Sequence, residues 1–463
     1  MLRHPQRVSV LSLLAITASV VSAQPDLICS QINGATSYFV VDGIAAYSFG
    51  TTICNIGDTE ATWIDGTNQN PLVSQTLYRL ADGQLHQLGI GFAHYATPPL
   101  ASNACGLGCT PAGFNALGAG CSTTSSSLIH GLQGTLVPRT EINPFTGFYP
   151  YPFTAFGQVG DAIYKRLQVP LADISDPDAL YFVETQLITE SETTPETRAN
   201  NVSYRQVTFS PGTASATLVG PTYTEQPAIF AWRDHGLGIG MPDPDVLISE
   251  ATIPDDGIVH VGSKATLLED GNWQYDYVVH NQNAEQVLIN LTHPIGTYDD
   301  AHNFEFHDVS YHDDLDGLIE TDEWGRNIIF CIASVVWETQ NSQQVPITNA
   351  IRWGTAYSYS FRTVEMPDLL WVGSARVEYS STTGRTNLMS LAAIAPGTRH
   401  CDPNGCDRAD LASPYHSHNF FDVSAFLGAF VAQNKIADFA EPFGTFNFFD
   451  LSAFLGEYGD GCP

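Results

Sequence analysis

From Gln24 to about Ala395 apolar residues recur at every second position in short runs, and no helix-period segment of comparable strength competes with them. Successive side chains of a strand point to opposite faces, so this alternation turns one face to a core and the other to solvent. In a first region, residues 24–220, the stretches 38–41, 61–64, 164–169, 180–183 and 204–209 predict strands. In a second region, residues 221–398, the stretches 273–279 and 287–291 flank an Asn/Gln-rich turn and predict a hairpin. Stretches 328–337, 356–361 and 370–379 add further strands. The expectation is a mainly β protein with two β-rich, sandwich-like domains, the second an antiparallel sandwich.

Beyond Gly397 the pattern changes. Phe420-Phe421-Asp422-Val423-Ser424-Ala425-Phe426-Leu427-Gly428 recurs 28 residues later as Phe448-Phe449-Asp450-Leu451-Ser452-Ala453-Phe454-Leu455-Gly456, and Asp410 and Asp438 keep the same offset. Val423, Phe426, Leu427 and Phe430 fall at i, i+3, i+4 and i+7, as do Leu451, Phe454, Leu455 and Tyr458. This period predicts two short amphipathic helices packed face to face in a third unit, residues 399–463.

At the amino terminus, Arg3, His4 and Arg7 precede an apolar run over 8–21 and the small-residue pattern Val21-Ser22-Ala23. That is the form of a signal peptide (residues 1–23), with cleavage expected after Ala23 and an extracellular mature chain. No later apolar stretch reaches the ~18 residues of a membrane span. With 18 Lys plus Arg against 49 Asp plus Glu, the formal net charge is -31. Such a surface repels nucleic acid and anionic membranes, and suits solubility or cation binding.

Nine cysteines in an exported chain predict disulfides, and the odd count leaves one over. Cys331 reads as a buried thiol, and Cys401 and Cys406 flank a short turn that a disulfide closes. Cys29, Cys54, Cys105, Cys109, Cys121 and Cys462 have no pairing readable from spacing. Cys105, Cys109 and Cys121, with His94, can be drawn as a zinc site, although the spacing matches no closed zinc pattern and export favours cystine. The Gly/Ser/Cys-rich segment 101–134 is long enough to be either functional or pinned by cystines, and 189–201 reads as a flexible surface loop.

The repeat, with its Asn-Phe-Phe-Asp-(Val/Leu)-Ser-Ala-Phe-Leu wording and the terminal Gly461-Cys462-Pro463, resembles the dockerin module in its GC-type variant, found at the ends of secreted bacterial proteins. Upstream phrases such as Asn68-Gln69-Asn70-Pro71 resemble a group of secreted bacterial proteins and bring no activity with them. The dockerin resemblance implies paired half-EF-hand loops that bind calcium, with Asp410, Asp422, Asp438 and Asp450 as ligands and Asn419, Asn447 and Glu441 as helpers. It also implies a cohesin-like or other surface protein as partner, and a role in polysaccharide handling. Here each loop is one residue longer than the family pattern, and Ala412, Pro414, Ala440 and Pro442 stand where acids belong. Calcium binding is weakened accordingly, and Asp422 and Asp450 are equally suited to capping the following helices.

Other constellations carry possible chemistry. Asp314, Asp316, Gly317, Ile319 and Glu323 follow the calcium-loop register, with His312 at the first ligand position. His307, Asp308 and His312 cluster near Glu305, but a spacing of five places the two histidines on opposite faces of a strand. Arg139 and Glu141 precede the aromatic run 148–153. With His94 they are the candidate catalytic residues of a carbohydrate site, or else a plain ion pair beside packed rings. No nucleophile elbow, zinc-protease helix, phosphate loop or dinucleotide fingerprint occurs. The functional expectation is a secreted protein that binds or degrades polysaccharide, as a glycan-active hydrolase or lyase if it is an enzyme. The alternatives are a non-catalytic surface or matrix adhesion protein, and a metal-dependent hydrolase in which His94, His307 or His312 converge. Calcium is the one cofactor expected.

Overall fold

The structure, a computed structural model, describes residues 23–154, 156–296, 301–309, 319–329, 334–340, 347–367, 373–380, 386–397, 409, 411, 418–431, 433, 437, 439–440 and 445–460. The first region contains β1 (Leu27–Ser37), β2 (Ile44–Asn55), β3 (Ala61–Thr62), β4 (Leu72–Ala81), β5 (Gln84–Ile90), β6 (Ala93–Tyr95) and β7 (Ala116–Leu117). It continues through β8 (Ser122–Ser125), α1 (Ser127–His130), β9 (Leu136–Val137), β10 (Leu167–Pro170), β11 (Leu180–Ile188), α2 (Pro195–Ala199), β12 (Val202–Phe209) and β13 (Ala216–Tyr223).

Eleven of these strands form one antiparallel sheet in the order β1-β2-β10-β5-β4-β11-β12-β13, with β6, β8 and β9 attached; β3 and β7 make a separate two-residue ribbon. The sheet curls until its ends meet. The Ile32 N–H of β1 donates to Thr222 Oγ1 of β13 at 3.0 Å, and Arg205 Nη1 of β12 donates to the Ile32 carbonyl at 2.7 Å. Ile32, Tyr47, Phe49, Leu77, Val169, Val183 and Val207 share one core within the curl. The region expected to be sandwich-like is therefore a nearly closed barrel. One-sided alternation is common to both architectures, and only the pairing of distant strands separates them.

Local differences from the expected strands have local causes. Residues 38–41 form the β1–β2 connection, with Phe39 exposed, and left-handed backbone at Asp42 (φ 48°) and Gly43 (φ 81°) turns the chain there. Segment 189–201 is held in place: Glu192 is fully buried and accepts hydrogen bonds from the Leu27 N–H and Asn201 Nδ2, while Thr194 caps α2. The segment 101–134 is tied by the disulfides Cys54–Cys105 and Cys109–Cys121. Those bonds consume the three thiols drawn as a zinc site, which is thereby corrected. Cys29 is the buried free thiol among the described residues. Cys331, Cys401, Cys406 and Cys462 lie outside the described residues.

The second region begins with α3 (Ile229–His235), followed by β14 (Leu247–Thr252), β15 (Ile258–Leu267), β16 (Trp273–Asn281), β17 (Val287–Pro294), β18 (His302–His307) and β19 (Gly325–Ile329). Then come β20 (Ser334–Glu338), β21 (Thr355–Thr363), β22 (Gly373–Ser380) and β23 (Thr386–Ala393). Two five-stranded antiparallel sheets, β14-β15-β16-β21-β18 and β19-β20-β17-β22-β23, enclose a core that includes Tyr275, Tyr277, Leu291, Trp337, Tyr359, Phe361 and Val377. This is the expected antiparallel sandwich. The expected hairpin over 273–291 is corrected: β16 pairs β15 and β21, whereas β17 belongs to the opposite sheet. The Asn281 side chain donates to the Ala284 and Gln286 carbonyls, shaping a crossover between layers instead of a tight turn.

Barrel and sandwich share a core. Tyr78, Leu85 and Phe182 pack with Trp232 of α3 and with Val278 and Ala356 of the sandwich. Trp232 lies over Gly262, where an added Cβ would come within 3.0 Å of the indole, and its Nε1–H donates to the Gly83 carbonyl at 2.8 Å. Gln87 of β5 accepts the Ala356 N–H at 2.6 Å and donates to the Gly354 carbonyl at 3.1 Å, fixing β5 across β21. In the third unit, α4 (Phe420–Val431) and α5 (Phe448–Asp460) meet through fully buried Phe426 and Phe454, flanked by Ala409, Ala437 and Phe439.

A candidate site in the cleft between barrel and sandwich

The face that β16, β21 and β18 turn away from the sandwich core is polar. Tyr275, Tyr277, Tyr359 and Phe361 belong to that core, so the period of two sends Asp276, Ser358, Ser360, Glu305 and His307 to the other side. Pairing registers align them in rows. Asp276 stands opposite Ser360, which stands opposite Glu305; Val278 stands opposite Ser358, which stands opposite His307. β5 of the barrel approaches this face with Gln84, Leu85 and His86. The resulting cleft measures about 380 Å³ and has Trp232 and Phe306 among its walls. Its size and its position at a junction of two sheet layers are those of a small-ligand site.

Asp276 is buried, and its Oδ1 accepts Gln84 Nε2–H at 2.6 Å and Gln274 Nε2–H at 3.0 Å. Burial pushes its carboxyl up to about 6. The two amide donors and Lys264 oppose that rise, and Glu305 adds to it. Lys264, opposite Asp276 on β15, is itself paired with Asp243 at 2.8 Å. A carboxylic acid thus keeps its proton closer to neutrality than a solvated aspartate does.

His86 meets the His307 ring edge-on, with centroids 4.6 Å apart. Burial lowers His86 to about 3, with His307 and Arg79 adding to the effect, so its imidazole is neutral. Because Gln84 donates to Asp276 through Nε2, its Oε1 is left to accept from His86 Nε2 at 3.2 Å. His86 Nδ1 is then a bare acceptor, buried and without a partner. Ser360 Oγ is likewise buried and without a partner, midway along the row from Asp276 to Glu305. Ser358 is engaged, donating to the Leu85 carbonyl at 2.7 Å. The cleft therefore presents hydroxyl, carboxyl and imidazole groups against an apolar wall, with no Lys or Arg in its lining.

The residues singled out from the sequence are distributed differently. His94 lies in β6, buried beside His130 with ring centroids 4.6 Å apart, at a void of about 10 Å³ that Lys165 also lines. Burial holds His94 well below the usual histidine range, and His130 Nε2 bonds Thr51 Oγ1 at 3.1 Å. Arg139 and Glu141 share a single 3-10 turn. The Arg139 guanidinium lies 3.8 Å over the Trp353 ring and donates to the Trp353 carbonyl at 2.7 Å, while Trp353 Nε1–H returns a bond to the Arg139 carbonyl at 3.2 Å. The Glu141 carboxylate accepts the Thr154 N–H at 3.3 Å. Arg139 thus fastens barrel to sandwich, and Glu141 closes a loop.

The calcium candidates separate similarly. Asp314, Asp316, Asp410 and Asp438 lie outside the described residues, as does His312, while Glu323 is exposed. Asp422 and Asp450 are fully buried. Asp450 accepts the Phe439 and Ala440 N–H groups on Oδ1 at 2.8 and 2.9 Å and the Asn447 N–H on Oδ2 at 2.8 Å. Asn447 Oδ1 in turn accepts the Phe449 N–H at 2.7 Å, a reciprocal cap that Asn419 and Asp422 reproduce at α4. Asp450 thus makes the hydrogen bonds of a helix cap, the role the sequence offered it beside calcium ligation. Of the three histidines a metal-dependent hydrolase needs, His94 and His307 occupy different places: His94 is paired with His130, and His307 with His86.

Sequence reasoning reached Glu305 and His307 but missed Asp276, Ser360, Gln84, His86 and Trp232. The alternation of 273–279 carried a signal for Asp276, since a carboxylate on the buried-strand pattern beside three aromatic residues is unusual. Its pairing with β5 depends on contacts nearly 200 residues apart, which no local pattern encodes.

No family model matches the chain, and no curated relative matches it. Among solved structures, exo-chitosanase CsxA of Amycolatopsis orientalis in complex with PNP-beta-D-glucosamine aligns at 7% identity over 77% of this chain and 26% of that chain, with a TM-score of 0.15. The crystal structure of the same exo-chitosanase gives 8% identity, 77% and 26% coverage and a TM-score of 0.15. The chain spans about a quarter of that enzyme's length, and a likeness this slight carries no argument about fold or activity.

Proposed function

We propose that this is an extracellular polysaccharide-handling protein that binds a neutral glycan in the cleft between β5 and the β16-β21-β18 face. The observation that supports it is the pair of buried groups without partners, Ser360 Oγ and His86 Nδ1, in a roomy cleft whose polar groups stand against an apolar wall. A donor and an acceptor held dry and unsatisfied are a cost unless a ligand or water completes them, and vicinal hydroxyls supply both complements. The net charge of -31 and a lining without cations disfavour polyanionic glycans. Two disulfides, and no described helix long and apolar enough to cross a membrane, are compatible with life outside the cell.

The test is retention of the purified mature chain in gels containing laminarin, xyloglucan or glucomannan. Slowed migration that Ser360→Val and His86→Phe each abolish is the expected result. Unaltered migration in all three gels refutes the reading.

A second role concerns the carboxy-terminal unit, which we propose serves as a dockerin-like attachment module. Phe420, Phe421 and Leu427 are exposed, and so are their repeat equivalents Phe448, Phe449 and Leu455. Paired apolar side chains on both helices of so small a unit suit a surface that a cohesin-like or other surface protein covers. Binding of the full chain to a cohesin module, lost in Phe421→Asp with Phe449→Asp, tests it; equal binding by wild type and variant contradicts it.

A further inference from the structure

Resting on the glycan reading of the junction cleft, we propose that the site hydrolyses its glycan with inversion, Asp276 acting as proton donor and Glu305 as the base that activates water. The geometry comes from the register. Asp276 and Glu305 face the same residue, Ser360, from the strands on either side of β21, on one face of one sheet. Their backbones are therefore two strand spacings apart, roughly 9–10 Å. Carboxyl groups separated by roughly 6.5–9.5 Å leave room for a water and the sugar ring between them, whereas the double-displacement route needs roughly 5 Å.

The two positions differ as the two roles require. Asp276 is buried and held by Gln84 from β5 and Gln274 from its own strand, with Lys264 beside it on β15 engaged by Asp243 and Glu305 across β21. Burial and the Glu305 charge raise its carboxyl against the pull of the two amides and Lys264, so it holds its proton to higher pH than a solvated aspartate. Glu305 is exposed at the mouth of the cleft, where water reaches it. Between them the unpartnered Ser360 hydroxyl is placed to bond a sugar hydroxyl.

In the step itself the Asp276 O–H bond breaks and its proton passes to the glycosidic oxygen while the bond from that oxygen to the anomeric carbon cleaves. Water adds to the anomeric carbon from the opposite face and gives one proton to Glu305. The products are an alcohol and a hemiacetal of inverted configuration; solvent carries the proton from Glu305 back to Asp276. Water is the one co-reactant, and nothing is oxidised or reduced.

The experiment incubates the full mature chain with laminarin, xyloglucan and glucomannan, and follows reducing ends and the anomeric proton signals of the first product. Release of reducing ends with inverted configuration is expected. Asp276→Asn and Glu305→Gln should each lower the rate roughly 100-fold or more while gel retention stays within about threefold. Asp276→Asn should recover rate on a dinitrophenyl glycoside of the same sugar, whose leaving group needs no proton; a merely structural aspartate would show no such recovery. Thermal melting of both variants checks folding. Retention without reducing ends overturns the hydrolytic proposal and leaves the glycan reading standing. Loss of retention altogether removes both, and a retained configuration in the product refutes this assignment of roles.

Discussion

Phe426 and Phe454, equivalent positions of the 28-residue repeat, stack face to face with centroids 4.0 Å apart and planes 9° from parallel. Phe439 meets both rings edge-on at 5.4 Å, and His418 stacks on Tyr458 at the rim. The unit is thus held by one central pair, and neither half can bury its phenylalanine without the other.

Phe454→Ala is expected to cost about 3–5 kcal/mol, because it opens a cavity at the centre of a core of few residues. Limited proteolysis of the full chain should then cut within 409–460 while barrel and sandwich stay intact. A cleavage pattern like that of the wild type would show that the ring pair contributes little.

The capping role of Asp450 predicts how the same unit responds to chelation. Protection from protease should be the same with calcium as with a chelator, while Asp450→Ala, which strips three amides of their acceptor, should weaken it by about 1–3 kcal/mol. Chelator-dependent cleavage would restore the calcium-binding expectation.

Asp276 makes stability depend on pH in a definite direction. Its folded-state value of about 6 exceeds the usual aspartate value near 3.9, so the folded state holds the proton more tightly. Stability from this group is full below about pH 4 and is lost as pH rises through 6. Asp276→Asn keeps an Oδ1 acceptor for Gln84 and Gln274 and removes the buried charge. It should raise stability by about 1–3 kcal/mol at pH 7.5, with the gain vanishing near pH 4. Buried histidines such as His86 and His293 act in the opposite sense below pH 6.5 but are common to both proteins. Urea titrations at the two pH values measure the difference; a gain that does not change with pH would contradict it.

Arg139 fastens the two β layers. Removing it leaves Glu184, buried and already raised to about 7 by burial, without a nearby cation. Arg139→Ala is expected to cost about 3–5 kcal/mol. Gly354→Ala should mimic part of this loss, since a Cβ there meets the guanidinium and φ is 67°. Thermal melting of both variants decides; melting within a degree of wild type would show that the layers hold without this bolt.

The carboxy-terminal repeat and sandwich strands β16, β17, β21 and β22 could be read from spacing alone, because alternation and helical period are local consequences of burial; β14, β15, β18 and β23 were not, and the run 328–337 takes in parts of two paired strands, β19 and β20. The barrel could not, since the bonds from β1 to β12 and β13 join residues about 170 to 190 positions apart. Helix α3 was missed for a related reason: seven residues carry too little periodicity, and Trp232 finds its place only against Gly262 and Gly83. The site was half visible. Glu305 and His307 stood out within a cluster of His, Asp and Glu, while Asp276 was hidden inside an alternating strand and takes its hydrogen bond from Gln84 on the other layer.

The most direct measurement is a crystal structure of the mature chain soaked with the oligosaccharide unit of whichever of the three polysaccharides retains it. Sugar density bridging Ser360 Oγ and His86 Nδ1, between Asp276 and Glu305, is the predicted result. An ordered sugar bound elsewhere on the barrel or sandwich, with the junction cleft filled only by water, would contradict it.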